Sequence, residues 1–273
     1  MVQNGDAGRT VIWADGETSF YGNISARGGI ILGSGGFVET SGKSVLNFDG
    51  TVNTLATKGN DGLLLLDPTD LTISSGVDGG VTSTGSTPNL TRTATSGATS
   101  ILNVSTLITL LASNNVTVAT NAAGSGGTGT GLLTVSNPIV WNSIRTLTLN
   151  SNGDTVINAA ITNSGTGGLN ISAGGTINVN ASVSVGSTGI SLFGGTGVTV
   201  NPGTGSLAST GGISLYATTG NITVNNTTPT TLFNACTGQA STSCSTTNGG
   251  GNVTVNGSMT VSGNINLYGT TGL

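Results

Sequence analysis

The residues able to do chemistry are few, and what is missing narrows the field first. The sequence has no histidine, so a His-based triad, a His general base or a His-ligated metal cannot be built within it. Acid–base work would fall to carboxylates. The best group is Asp61, Asp67, Asp70 and Asp78, around Asp67-Pro-Thr-Asp70. Such a group could form a carboxylate pair or hold Ca²⁺. The same residues also read as turn chemistry, with Asp67-Pro68 making a turn and Asp70 preceding the alternation Leu71-Thr-Ile73. The turn reading is preferred. An enzyme that cuts polysaccharide needs clustered carboxylates with Lys or Arg as base or clamp, yet residues 155 to 273 hold no Asp, Glu, Lys or Arg. No catalytic residue, cofactor or metal ligand is assigned, and the chain is expected not to be an enzyme.

Cys236 and Cys244, the two cysteines, bracket a polar run in what looks like an insertion over 234 to 250. Two thiols so close together read as a local disulfide, worth about 2.5 kcal/mol by the chain-entropy model, with a pair of free thiols as the alternative. A disulfide implies an oxidising compartment. Asn158, Asn180, Asn201, Asn225 and Asn256 recur regularly and could pass for a ligand row. A structural ladder is preferred, because Asn tolerates left-handed corners and its amide can bond its counterpart one repeat away. Asn-X-Ser/Thr triplets at Asn23, Asn89, Asn115, Asn170, Asn221 and Asn252 permit glycosylation, but this composition generates them by chance.

A repeat must position these residues. Leu147-Thr-Leu149, Leu169-Asn-Ile171, Ile190-Ser-Leu192 and Ile213-Ser-Leu215 follow at intervals of 22, 21 and 23 residues. A second apolar pair trails each: Ile177/Val179, Val198/Val200, Ile222/Val224, then Val253/Val255. Strict two-residue alternation specifies strand. A period near 20 means stacked units that bury their apolar faces only against each other. The expected fold is all-β, a right-handed parallel β-helix with coils of about 20–26 residues. Composition agrees: 35% hydrophobic, 6% charged and 47 glycines is strand-and-turn chemistry rather than disorder. Roughly 11 to 13 coils would give a rod on the order of 55 Å long.

The pattern divides one β-helical segment into three stretches. Residues 1–74 carry longer irregular coils opened by Val11-Ile-Trp13, Phe37-Val38 and Leu63-Leu-Leu-Leu66. Residues 75–131 are loop-rich. Residues 132–273 form regular coils interrupted by the Cys loop. Leu107, Ile108, Leu110 and Leu111 fall at helical spacing, so a short helix near 106–113 is expected, with Ser105 as N-cap and Asn114-Asn115 as its end. One outward column reads Asn178, Thr199, Thr223 and Thr254 and the other Thr148, Asn170, Ser191 and Ser214, so no paired Thr array for ordering ice exists.

Net charge is −4 and the six basic residues are scattered, which leaves no footprint for nucleic acid. No apolar run reaches 18 residues, so no membrane insertion by helix is expected. The start lacks the pattern of a signal peptide, and the chain stops in mid-pattern at Asn264-Ile-Asn-Leu-Tyr-Gly. The expectation is a segment of a larger protein.

Several phrases carry a resemblance: Val11-Ile-Trp-Ala-Asp-Gly-Glu-Thr-Ser-Phe-Tyr-Gly-Asn-Ile-Ser-Ala26, Gly35-Gly-Phe-Val-Glu-Thr-Ser-Gly-Lys43, Leu63-Leu-Leu-Leu-Asp-Pro-Thr-Asp-Leu-Thr-Ile73 and Thr106-Leu-Ile-Thr-Leu-Leu-Ala-Ser-Asn-Asn-Val-Thr-Val118. Over roughly residues 8 to 225 the chain resembles the filamentous-haemagglutinin-type exoproteins of Gram-negative two-partner secretion. The resemblance implies a secreted, cell-surface β-helical rod exported through an outer-membrane barrel transporter. It implies an adhesin as the function, with a host-cell or surface receptor, such as a glycan, and self-association into filaments as partners. The amino-terminal secretion domain of that family is not recognisable, so export by this route is an expectation for the parent protein. A self-assembling extracellular sheath subunit is the alternative, and a polysaccharide-active β-helix enzyme a weaker one.

Overall fold

The computed structural model describes residues 3–42, 45–67, 70–76, 81–84, 91–94, 100–120, 130–225, 232–238 and 250–269. They fall into two compact units, Met1–Leu132 and Leu133–Leu273.

In Leu133–Leu273 each full coil supplies three short strands. Leu147–Ser151, Thr155–Ile157 and Ile161–Asn163 make up one such coil. The first strand pairs in parallel with Leu169–Ala173, and that in turn with Ile190–Gly194, Gly212–Ala217, Leu232–Thr237 and Ile265–Tyr268. The second sheet runs Leu133–Val135, Thr155–Ile157, Thr176–Val179, Gly197–Val200, Ile222–Val224, Val253–Val255. A third stacks Ile139–Trp141, Ile161–Asn163, Ser182–Val185 and Ser206–Ser209. The winding is a right-handed parallel β-helix, as the repeat implies.

Register explains the sequence. Leu147, Leu169, Ile190, Ile213 and Phe233 form one inward column, and Ile157, Val179, Val200 and Val224 another, each fully buried or nearly so. Every inward side chain meets its counterpart one coil away, about 4.8 Å along the stack. Burial of each aliphatic is worth about 1.5–3 kcal/mol relative to exposure. Thr155 stands in an otherwise aliphatic column, and its hydroxyl is met 2.7 Å away by that of Ser151.

The unit Met1–Leu132 has the same parallel winding with less regular coils. Arg9–Ala14, Phe37–Gly42, Leu63–Asp67 and Asn115–Ala119 stack in that order. Glu17–Phe20 pairs with Val45–Phe48, with the Phe20 and Phe48 rings stacked 5.4 Å apart, and Asn23–Ser25 pairs with Thr51–Asn53. Beyond this the chain order breaks. Leu71–Ser74 pairs with Ser100–Asn103, but the later strand is the one that packs on Val45–Phe48. The Ser100 hydroxyl accepts the Leu46 N–H at 3.0 Å. The chain thus climbs one layer, leaves, and returns one layer lower. The stretch 75 to 100, expected to leave the coils, includes a short antiparallel pair, Val81–Thr84 with Thr91–Ala94.

The helix exists, but its boundaries differ from the expectation. It spans Val104–Leu111, and Asn103 rather than Ser105 is the N-cap, its side chain accepting the Ser105 N–H at 2.8 Å. Ser105 fails as a cap because it already lies in the first turn. Ala112 is the C-cap and Asn115 already opens the strand Asn115–Ala119, but Asn114 closes the helix end from just beyond the cap. Fully buried, it donates to the carbonyls of Leu110 and Val52 and accepts from the Thr54 N–H and hydroxyl, all at 2.8 Å. One side chain therefore fastens the helix end to the strand Thr51–Asn53.

Thr40 is the opposite case. It lies inward, between Ile12 and Leu66, and its hydroxyl is buried without a hydrogen-bond partner. Thr40→Val is therefore expected to raise unfolding free energy by about 1 kcal/mol, and Asn114→Ala to lower it by about 3 kcal/mol, both read from denaturant midpoints. A destabilising Thr40→Val would show that the hydroxyl is bonded after all.

Candidate functional site

Several carboxylates act as backbone clamps. Asp61 accepts the Ala56 N–H at 2.8 Å, and Asp70 accepts those of Leu132 at 2.8 Å and Thr130 at 3.3 Å. Asp6 and Asp154 do the same for Ser34 and Thr176, each at 2.7 Å. Asp67 is the last residue of its strand; its side chain, like the whole of Asp78, lies outside the described residues. Among the described residues no group of three or more His, Cys, Asp or Glu is placed to hold a metal ion. The turn reading of Asp61 and Asp70 thus has a concrete form: each carboxylate satisfies N–H groups that a corner leaves without a ladder partner.

Open clefts among the described residues of Met1–Leu132 include two. One, of about 250 Å³, is lined by Asp49, Thr51, Ser105, Thr106 and Thr109. The other, of about 300 Å³, includes Asp6, Thr10, Ser25 and Arg27. Each brings in a single carboxylate, and Asp6 already holds the Ser34 N–H. Neither offers the two facing carboxyl groups that glycoside hydrolysis uses.

The asparagines do form a ladder, with one interruption. The Asn180 amide donates to the Asn158 side-chain oxygen at 2.7 Å, and Asn201 donates in turn to Asn180. Asn256 donates to Asn225 at 3.1 Å. Between Asn201 and Asn225 the chain of amides breaks, and Asn225 donates instead to the Val200 carbonyl at 2.6 Å. The interval there is 24 residues, and the corner after Asn201 runs through Pro202 and through Gly203 at φ +86°. The expected left-handed backbone is not the reason for asparagine: among the described residues only glycines have positive φ. The reason is the amide itself. From Asn180 on, each backbone N–H at these positions also donates to the residue one step before the preceding asparagine, as Asn180 to Ile157 and Asn201 to Val179, both 2.9 Å.

Cys236 is disulfide-bonded and fully buried. It sits inside the strand Leu232–Thr237, in register with Tyr216, so the insertion begins after this strand and not at residue 234. Cys244, the other cysteine of the sequence, lies outside the described residues, as do most of the stretches 75–100, 120–131 and 234–250. Burial lowers the pKa of Arg145, and its carbonyl accepts the Trp141 indole N–H at 3.1 Å.

The outward faces, weighed from the sequence only for ice ordering, carry further groups. In Met1–Leu132, Val11 and Trp13 are about half exposed on the first strand. Beside them Arg9 lies over the Phe37 ring at 4.7 Å and pairs with Glu39 at 3.3 Å. In Leu133–Leu273 the outward side of the first sheet carries two columns. Thr148, Asn170 and Ser191 form one; Asn150, Ser172 and Phe193 form the other. Alternation with the core places both columns in the sequence.

No family model matches the chain, and no curated protein does.

Asn180 both donates and accepts within its ladder, whereas Asn158 only accepts from Asn180. Asn180→Ala is expected to lower unfolding free energy by about 1–2 kcal/mol and Asn158→Ala by less. Equal stability of Asn180→Ala and the parent chain would return these residues to the status of a ligand row.

Proposed function

We propose that the chain is a non-catalytic segment of a secreted, cell-surface exoprotein of the filamentous-haemagglutinin type, working as an adhesive or projecting rod. The observation that carries this reading is how the described polar side chains are used. Carboxylates clamp corners, asparagines bridge coils, and buried hydroxyls and amides close turns. These clamping carboxylates and ladder asparagines are committed to holding coil on coil. The disulfide at Cys236 favours an oxidising compartment. With the sequence phrases quoted above, this supports export from a Gram-negative cell through an outer-membrane barrel partner to a surface where a receptor is met. Among the described residues no helix is long and apolar enough to cross a membrane.

A self-assembling sheath or filament subunit is the second reading, favoured by Val11 and Trp13 exposed on an outward sheet face. A polysaccharide-active enzyme is the third, and it would need a carboxylate pair that neither cleft provides.

Beads coated with the purified chain are expected to attach to cultured epithelial cells, and the soluble chain to compete for that attachment. Incubation with polysaccharides should release no reducing or unsaturated ends. Release of such ends, or beads that attach no better than albumin-coated ones, would contradict the reading. Polymers of the chain in negative-stain micrographs would favour the sheath.

A further inference from the structure

We propose that the outward face of the first sheet in Leu133–Leu273, over Asn150, Asn170, Ser172, Ser191 and Phe193, binds an uncharged polysaccharide. This deepens the adhesive reading, on which it rests, by assigning a surface and a ligand class.

The strands Leu147–Ser151, Leu169–Ala173 and Ile190–Gly194 pair residue for residue, so the outward side chains form a grid. Its spacing is about 4.8 Å along the stack and roughly 6.6 Å across it. The polar members of this grid contrast with the corner asparagines. Asn158, Asn180, Asn201, Asn225 and Asn256 spend their amides inside the chain. Asn150 and Asn170 are exposed, Ser172 and Ser191 half-buried, and none of the four makes a side-chain hydrogen bond among the described residues. Two amides and two hydroxyls, each both donor and acceptor, therefore stand free on a rigid, regular surface.

Phe193 supplies the second component. It projects from the same face, half-buried, in register with Ser172 on one side and Tyr216 on the other. An aromatic ring beside unspent amides suits a pyranose, whose C–H face packs on the ring while its hydroxyls exchange hydrogen bonds with the amides. The coil spacing lets neighbouring sugar units meet equivalent groups.

Charge selects among ligands. From 155 to 273 the sequence has no ionisable acid or base other than tyrosine and cysteine, and Asp154, just before it, is held by the Thr176 N–H. Nucleic acid and anionic glycans need cations that this face lacks. An extended peptide would seek the edge of a sheet, where backbone groups are free, rather than its face. A neutral glycan needs neither.

The full chain is to be run by affinity electrophoresis through gels containing yeast mannan, a linear β-glucan or heparin, at low and high salt. Retardation by at least one neutral polymer, absent with heparin and insensitive to salt, is expected. Phe193→Ala and Asn170→Ala should each weaken it about tenfold, while Thr199→Ala, on the second sheet, leaves it unchanged; circular dichroism verifies that all three fold. No retardation in either neutral gel, retardation abolished by salt, or retardation that survives both face substitutions would overturn the assignment. A chain that still attaches beads to cells yet passes both neutral gels freely loses this site and keeps its adhesive reading.

Discussion

The constraint behind this structure is register between parallel coils. Backbone hydrogen bonds run from each strand to the equivalent strand one coil on, so every side chain faces a counterpart at the same position. An inward column must then be apolar at each step or be repaired locally wherever it is not. Leu147, Leu169, Ile190, Ile213 and Phe233 obey the first condition. Thr155, with Ser151 beside it, obeys the second. The corners answer to the same closeness: a Cβ on Gly174 would overlap the Asn152 carbonyl, and one on Gly195 the Gly174 carbonyl. A residue mutated in one coil is felt in two others.

Register also explains the polarity of the chain. A stacked coil has no thick core in which to hide a charge, and its corners leave N–H groups that need acceptors. Asp6, Asp61, Asp70 and Asp154 meet that need with carboxylates, and Asn221 meets it for the Asn252 N–H with an amide at 2.9 Å. Where coils are least regular, in Met1–Leu132, the device becomes more elaborate. Asn114 ties a helix end to a neighbouring strand through four bonds, and Ser100 reaches Leu46 where the chain order inverts.

Much of this was legible because stacking writes itself into the sequence as a period. The intervals between Leu147, Leu169, Ile190 and Ile213 gave the first sheet, and the pairs such as Val198/Val200 gave the second. The third sheet left a fainter trace, since only one of its inward columns, Ile139, Ile161, Val183 and Leu207, is apolar throughout. Its strands set Trp141, Asn163, Val185 and Ser209 at their inner ends, two of them polar. Asn163 is made tolerable by carbonyls of Ser143 and Gly167 at 3.1 and 2.9 Å, and Ser209 by that of Gly186 at 3.0 Å. Hydropathy cannot register a buried polar residue whose partners are backbone groups. The layer exchange at Ser100–Asn103 escaped for a related reason, since alternation specifies a strand and its face but not which neighbour it joins. The corner asparagines were recognised by position, but their amides rather than their backbone angles proved to be the cause. The free groups at Asn150 and Asn170 differ from the corner asparagines in hydrogen bonding, which the sequence pattern does not carry.

The stacked register itself can be measured in solution. Thr134 and Thr254 lie outward on the second sheet, joined through Val156, Asn178, Thr199 and Thr223. Five coil steps separate them, or about 24 Å. Spin labels on cysteines at these two positions, with the native pair left oxidised, should give one narrow distance near that value by double electron–electron resonance. A broad distribution, or a distance beyond about 40 Å, as expected of a chain of this length without ordered stacking, would contradict the solenoid and everything argued from it.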